Sequence, residues 1–157
     1  MVFAIFRRHL LLSLFLQALF PGLALAQLER FPTAPLSVVT ASGTHKFTVE
    51  VATTPAQMEQ GLMFRRTMAA DAGMIFDFQT PQMAMMWMKN TFIPLDMLFV
   101  DQQGRVVNIE ERAVPQSLDT LSSTAPVRAV IELNGGTAAR LHIQPGDRVL
   151  FPIFGSS

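Results

Sequence analysis

The chain has 157 residues, 12 basic and 12 acidic side chains, a single Trp and neither Cys nor Tyr. Without a basic excess there is no electrostatic footprint for nucleic acid, and without Cys there is neither a disulfide framework nor a thiol nucleophile. Stability must come from core burial, and a single domain of this length buries about two-thirds of its unfolded surface.

Residues 1–26 read as a secretory signal peptide. Arg7 and Arg8 form a positive start, Leu10 to Phe20 an apolar run, and Ala24-Leu25-Ala26 a small-residue cleavage site before Gln27. Gln17 and Pro21-Gly22 interrupt the apolar run, whereas a membrane anchor needs about 20 continuous apolar residues. Cleavage removes Arg7 and Arg8 and no acid, which leaves 131 residues with a formal charge of −2. The expected location is periplasmic or otherwise extracytoplasmic, with no membrane attachment once the signal is gone.

Residues 27–35 hold Pro32 and Pro35 without periodicity and read as a tether to one domain at 36–154. Leu36–Thr40 and the alternating Lys46–Val51, joined through Ser42-Gly43, predict a hairpin with one wet face. Thr54, Pro55 and Gln57 then supply an N-cap, a proline at the first helical position and a capping box. Gly61 stops that short helix, and Met58 and Leu62 share its core-facing side. Strands are predicted at Gly73–Phe78, Met83–Met88, Leu95–Val100, Arg105–Arg112, Val127–Leu133 and Arg148–Phe151. Asp101–Gly104 and Gln144–Asp147 read as turns, and Thr137–Leu141 as one helical turn. Val114–Pro126 is polar and irregular. Closely spaced strands without intervening helices predict an all-β fold, a compact sandwich or partly open barrel with one short helix.

Several segments stand in a recognisable order: Gly61-Leu62-Met63-Phe64-Arg65, Gly73-Met74-Ile75-Phe76, Trp87-Met88-Lys89-Asn90-Thr91, Pro94-Leu95-Asp96, and Val130-Ile131-Glu132-Leu133-Asn134 with Gly136. Together they resemble the DUF192 (UPF0127) family over Leu36 to about Phe151. The resemblance implies a small β-rich domain, often exported, and a place for its site; it brings no substrate and no reaction. The chain departs from the usual pattern at Met83, Met85 and Met86.

The candidate ligand-binding set is Arg65, Trp87, Lys89, Asn90, Thr91, Asp96 and Glu132. Trp87 to Asp96 offers an indole, a cation, an amide, a hydroxyl and a carboxylate in otherwise apolar surroundings. A scaffold role competes on even terms, because buried charges need partners whatever their purpose. Lys89 and Asp96 are expected at a strand end within reach of water, where losing either costs little. Nucleophilic catalysis lacks support: His45 and His142 have no G-x-S-x-G context, and Glu110 and Glu111 point to opposite faces. A hydrolase would have to bring Asp96 and Glu132 into one cleft. The Met run offers a third reading, with Met83, Met85 and Trp87 on one strand face as soft ligands for Cu(I). Methionine as core filler is the favoured explanation of that run. The expectation is therefore an exported binding or accessory domain for a small molecule or protein. It needs no cofactor or metal, and its site lies near Trp87–Thr91.

Overall fold

Apolar side chains alternate along the central strands, and both faces they create are buried. The computed structural model describes residues 28–155, so the predicted signal peptide lies outside the described residues. In chain order the elements are β1 (Thr33–Thr40), β2 (Gly43–Ala52), α1 (Pro55–Gln60), β3 (Ala72–Gln82), β4 (Met85–Met86) and β5 (Leu95–Val100). They continue with β6 (Val106–Ala113), β7 (Leu121–Ser122), β8 (Val127–Asn134), α2 (Thr137–Leu141) and β9 (Arg148–Leu150). No helix among them is long and apolar enough to cross a membrane.

Seven strands form one sheet in the order β6-β5-β8-β3-β2-β1-β9. Its pairings are antiparallel except β2 with β3, which run parallel because α1 and the turns after it carry the chain back. The sheet curls until its edges meet at one end. There the Val106 amide donates to the Asp147 carbonyl (2.9 Å), the Gly146 amide to Val106 (2.7 Å) and the Val149 amide to Gly104 (2.7 Å). One sheet closing partly on itself is a partly open barrel, so the barrel alternative holds over the two-sheet sandwich.

Ile75, Leu98, Ile131 and Leu133 point into the barrel, where they pack with Leu36, Val38 and Val49. The alternate residues Met74, Phe76, Met97, Phe99 and Val130 form a second core on the opposite face. Leu62, Ala84, Met88 and Ile93 cover it. Strand β5 is buried at all six positions.

The cover differs from the strand predicted at Met83–Met88. Only Met85 and Met86 are extended, paired with Ser122 and Leu121 of β7, inside the segment expected to be irregular. Side-chain and backbone bonds fix the rest. Ser123 Oγ accepts from the Ala84 amide (2.9 Å), the Met88 amide donates to Ser117 (3.1 Å), and the Gln116 amide donates to Thr91 (3.0 Å). These bonds fold the chain against itself, which no periodicity signals.

The predicted tether is also more structured than expected. Thr33, Ala34 and Pro35 belong to β1, opposite Glu50, Val49 and Thr48. Just before them, the Arg30 carbonyl accepts from Gln57 Nε2 (2.8 Å) and the Glu29 amide donates to Gln60 Oε1 (2.7 Å). The helix that receives them starts as predicted, with Thr54 and Gln57 closing a capping box.

Strands β3 and β8 approach closely beside the barrel core. A Cβ on Gly73 would lie 2.6 Å from the Glu132 carbonyl oxygen and 2.8 Å from Leu133 Cδ2. Backbone cannot yield as a flexible side chain can, so Gly73→Ala should destabilise by about 1–3 kcal/mol, as overpacking does. Urea unfolding checks this; unchanged stability would show that the two strands have slack.

Candidate functional site

The turn Trp87–Thr91 is held against the exit of α1. Asn90 adopts a left-handed backbone (φ 55°), which its short polar side chain tolerates better than most. Its carbonyl accepts from the Phe64 amide (2.9 Å), and the Thr91 amide returns to Met88 (3.0 Å). The two segments Gly61–Arg65 and Trp87–Thr91 are thereby joined in space.

Beneath them lies Glu132 of β8. Its register partners are Met74 on β3 and Met97 on β5, both fully buried. Glu132 itself is 4% exposed, and its Oε2 has no hydrogen-bond partner. Burial pushes its carboxyl from the ordinary 4.5 up to about 8, against a smaller opposing pull from the Arg65 charge. Thus at neutral pH this group is largely protonated. It forms part of the wall of a cavity of about 80 Å³, together with Met58, Met63, Met86 and Thr91, with the more exposed Met85 and Trp87 at the rim.

A shallower groove of about 270 Å³ adjoins it, sharing Met63 and Trp87 and adding Phe64, Lys89 and Asn90. Trp87 is 46% exposed, and the Lys89 ammonium sits 4.9 Å from its ring centroid. The arrangement offers a small cavity with a buried carboxyl group in its wall and, outside it, a groove that carries Trp87, Lys89 and the acids Glu29 and Glu59.

Five of the candidate residues therefore meet here: Trp87, Lys89, Asn90, Thr91 and Glu132. Arg65 does not join them through a contact, because its guanidinium forks onto both Glu50 oxygens (2.5 and 2.6 Å). Asp96 is elsewhere entirely. It pairs with Leu133 while its neighbour Met97 pairs with Glu132, so Asp96 and Glu132 project from opposite faces of the sheet. The hydrolase pair has no shared cleft.

The expectation that Asp96 reaches water is corrected too. It is 0% exposed, and its Oδ1 accepts from the amides of Arg112 (2.8 Å) and Gly136 (2.9 Å), its Oδ2 from that of Ala138 (2.7 Å). Helix α2 has no side-chain cap of its own, because its N-cap is Gly136, held at φ 89°. Asp96 satisfies these otherwise orphaned amides from the neighbouring strand. It is scaffold.

Methionine as core filler also fails at two positions. Met83 and Met85 are 53% and 75% exposed, because the inward face of this segment belongs to Ala84 and Met88. The sequence reading missed Met58, Met63 and Met86 as cavity walls. Their nearest signal was the helix face of Met58 and Leu62, which was assigned wholly to the core.

The family described as DUF192, uncharacterized ACR, matches residues 37–151. Among solved structures, a Sinorhizobium meliloti 1021 protein named as a candidate transcription regulator is 50% identical, with a TM-score of 0.76. That match spans 78% of this chain and 95% of the other. A Novosphingobium aromaticivorans DSM 12444 protein of unknown function is 47% identical, with a TM-score of 0.74 over 76% of this chain and 85% of that one. No functionally curated protein matches.

The two charges once grouped together should separate by stability. Asp96→Asn presents an amide to three converging N–H donors and should cost about 3 kcal/mol. Lys89→Met loses only an exposed cation–π contact and should cost roughly 1 kcal/mol or less. Urea melts of both variants check this; equal losses would contradict the assignment of Asp96 to the scaffold.

Proposed function

The chain belongs to the DUF192 family, which names a domain and no reaction, and from the site itself we propose an exported binding domain. In this reading the cavity above Glu132 receives a small cationic or hydrogen-bond-donating group. The signal-like pattern of residues 1–26 supports the export, and periplasmic action follows from it. The observation that carries the reading is the partnerless Oε2 of a buried Glu132 in the wall of an accessible cavity. Buried polar groups are normally paired, and each exception calls for an explanation. The scaffold makes no use of this one.

Size narrows the occupant. Organic ligands fill pockets of about 300–1,000 Å³, whereas this cavity is about 80 Å³, room for two or three water-sized groups. It therefore admits an ion or the tip of a ligand whose remaining part lies in the groove along Trp87 and Lys89. The hydrolase partners that the sequence suggests are not beside Glu132, since Asp96 faces away and Arg65 is held by Glu50.

A binding residue retained at the expense of stability gives a test. Glu132→Met replaces the carboxyl with a group of similar size in methionine surroundings. Below pH 4.5 the carboxyl is protonated folded or unfolded, so the variant gains little from removing the ionisation. As pH rises through 4.5 towards 8 the unfolded chain ionises while the folded one resists, and the wild type loses stability. The gap at pH 8 should exceed that at pH 4 by an amount on the order of 4 kcal/mol. At pH 7 Trp87, the single Trp, should report saturable binding of methylammonium or acetamide in the wild type and none in Glu132→Met. A pH-independent gap, or no response to either probe in the wild type, contradicts the reading.

A further inference from the structure

Four thioethers border the Glu132 cavity, and they come from two separate segments. Met58 and Met63 flank the end of α1, and Met85 and Met86 form β4. Chain segments 22 or more residues apart thus deliver the same donor type to one space of about 80 Å³. Thioether sulfur is a soft, weakly basic donor that suits Cu(I) and is a poor ligand for Mg²⁺ or Ca²⁺. Among the described residues no three His, Cys, Asp or Glu side chains group as a metal site. The wall carries no imidazole, and its two carboxyl groups, Glu59 and Glu132, fall short of the usual oxygen ligand sets.

We propose that this cavity binds one Cu(I) ion through the thioethers of Met58, Met63, Met85 and Met86, with Glu132 releasing its proton to solvent as the ion enters and so supplying a carboxylate. The proposal rests on the reading of the cavity as a binding site and names its ligand. Donor type favours a monovalent ion: thioethers are neutral, soft ligands that suit Cu(I) better than a hard divalent cation. Size agrees, because a bare ion ligated by flexible side chains needs far less room than an organic ligand. The exposed position of Met85 gives the ion a donor at the rim through which to enter. These four residues differ from the set that the strand pattern suggested, since Met83 does not border the cavity.

The competing explanation is that methionines fill irregular space, and substitutions of equal volume separate the two. The purified full chain is titrated with Cu(I) against bicinchoninate under reducing conditions. One Cu(I) per chain should be withdrawn from the chelator. Met63→Leu and Met86→Leu should each weaken binding at least tenfold, and Met83→Leu should leave it unchanged. In the unmodified chain, Ag(I) as a redox-inert surrogate should move the methyl-carbon signals of Met58, Met63, Met85 and Met86 and leave Met68 in place. No withdrawal of Cu(I), or binding that survives Met63→Leu with Met86→Leu, overturns the proposal. If methylammonium or acetamide still binds at Trp87 in that case, the binding-site reading stands and only its ligand is wrong. If those probes fail as well, both fall.

Discussion

Strand β8 is buried on both faces, and that constraint shapes the molecule. A strand places alternate residues on opposite sides, so Ile131 and Leu133 fill the barrel while Val130 and Glu132 face outward. The outward face is too apolar to leave in water, which makes the cover formed by α1, Leu62 and residues 84–93 obligatory. The cover is secured by hydrogen bonds between two irregular segments, through β4 with β7 and the bonds to Ser117 and Ser123. Glu132 stands on this outward face among Met74 and Met97, so covering the face necessarily buries a carboxyl group. The cavity at that position keeps an opening.

Asp96 and Glu132 show how neighbouring strands give two carboxyl groups opposite fates. Asp96 meets three backbone amides and closes the end of α2. Glu132 stands between Met74 and Met97 on the neighbouring strands and borders the cavity, and its Oε2 has no partner. The first is satisfied and inaccessible, as a scaffold requires. The second bears the cost of burial without a partner, a pattern that marks candidate functional sites more often than structural ones. Arg65 contributes a field at Glu132 while its guanidinium bonds go to Glu50.

Much of the fold was legible because its signals are local. The Thr54 and Gln57 capping box, the β1–β2 hairpin, the turn at Gly104 and the short α2 all follow from a few adjacent residues. The cover was not legible, since Met85 pairs with Ser122 across 36 intervening residues and no period announces such a pairing. Residues 28–32 carry no periodic signal for the same reason: the partners of Glu29 and Arg30 are side chains of a later helix. At the site, the Trp87–Thr91 stretch borders the cavity and groove, but Asp96 is near it in sequence alone. Period-two alternation puts Asp96 on the barrel side of β5, and only the pairing of β5 with β8 reveals that Glu132 is on the other.

The proposed site requires Glu132 to be buried, unpaired and beside a small cavity, and its ionisation reports on that burial. A carbon-detected titration of the Glu132 side-chain carboxyl in the ligand-free protein measures it directly. The structure predicts a midpoint displaced from 4.5 to about 8. A midpoint near 4.5 would mean that water or a protein donor already satisfies this carboxyl, and would contradict the central claim.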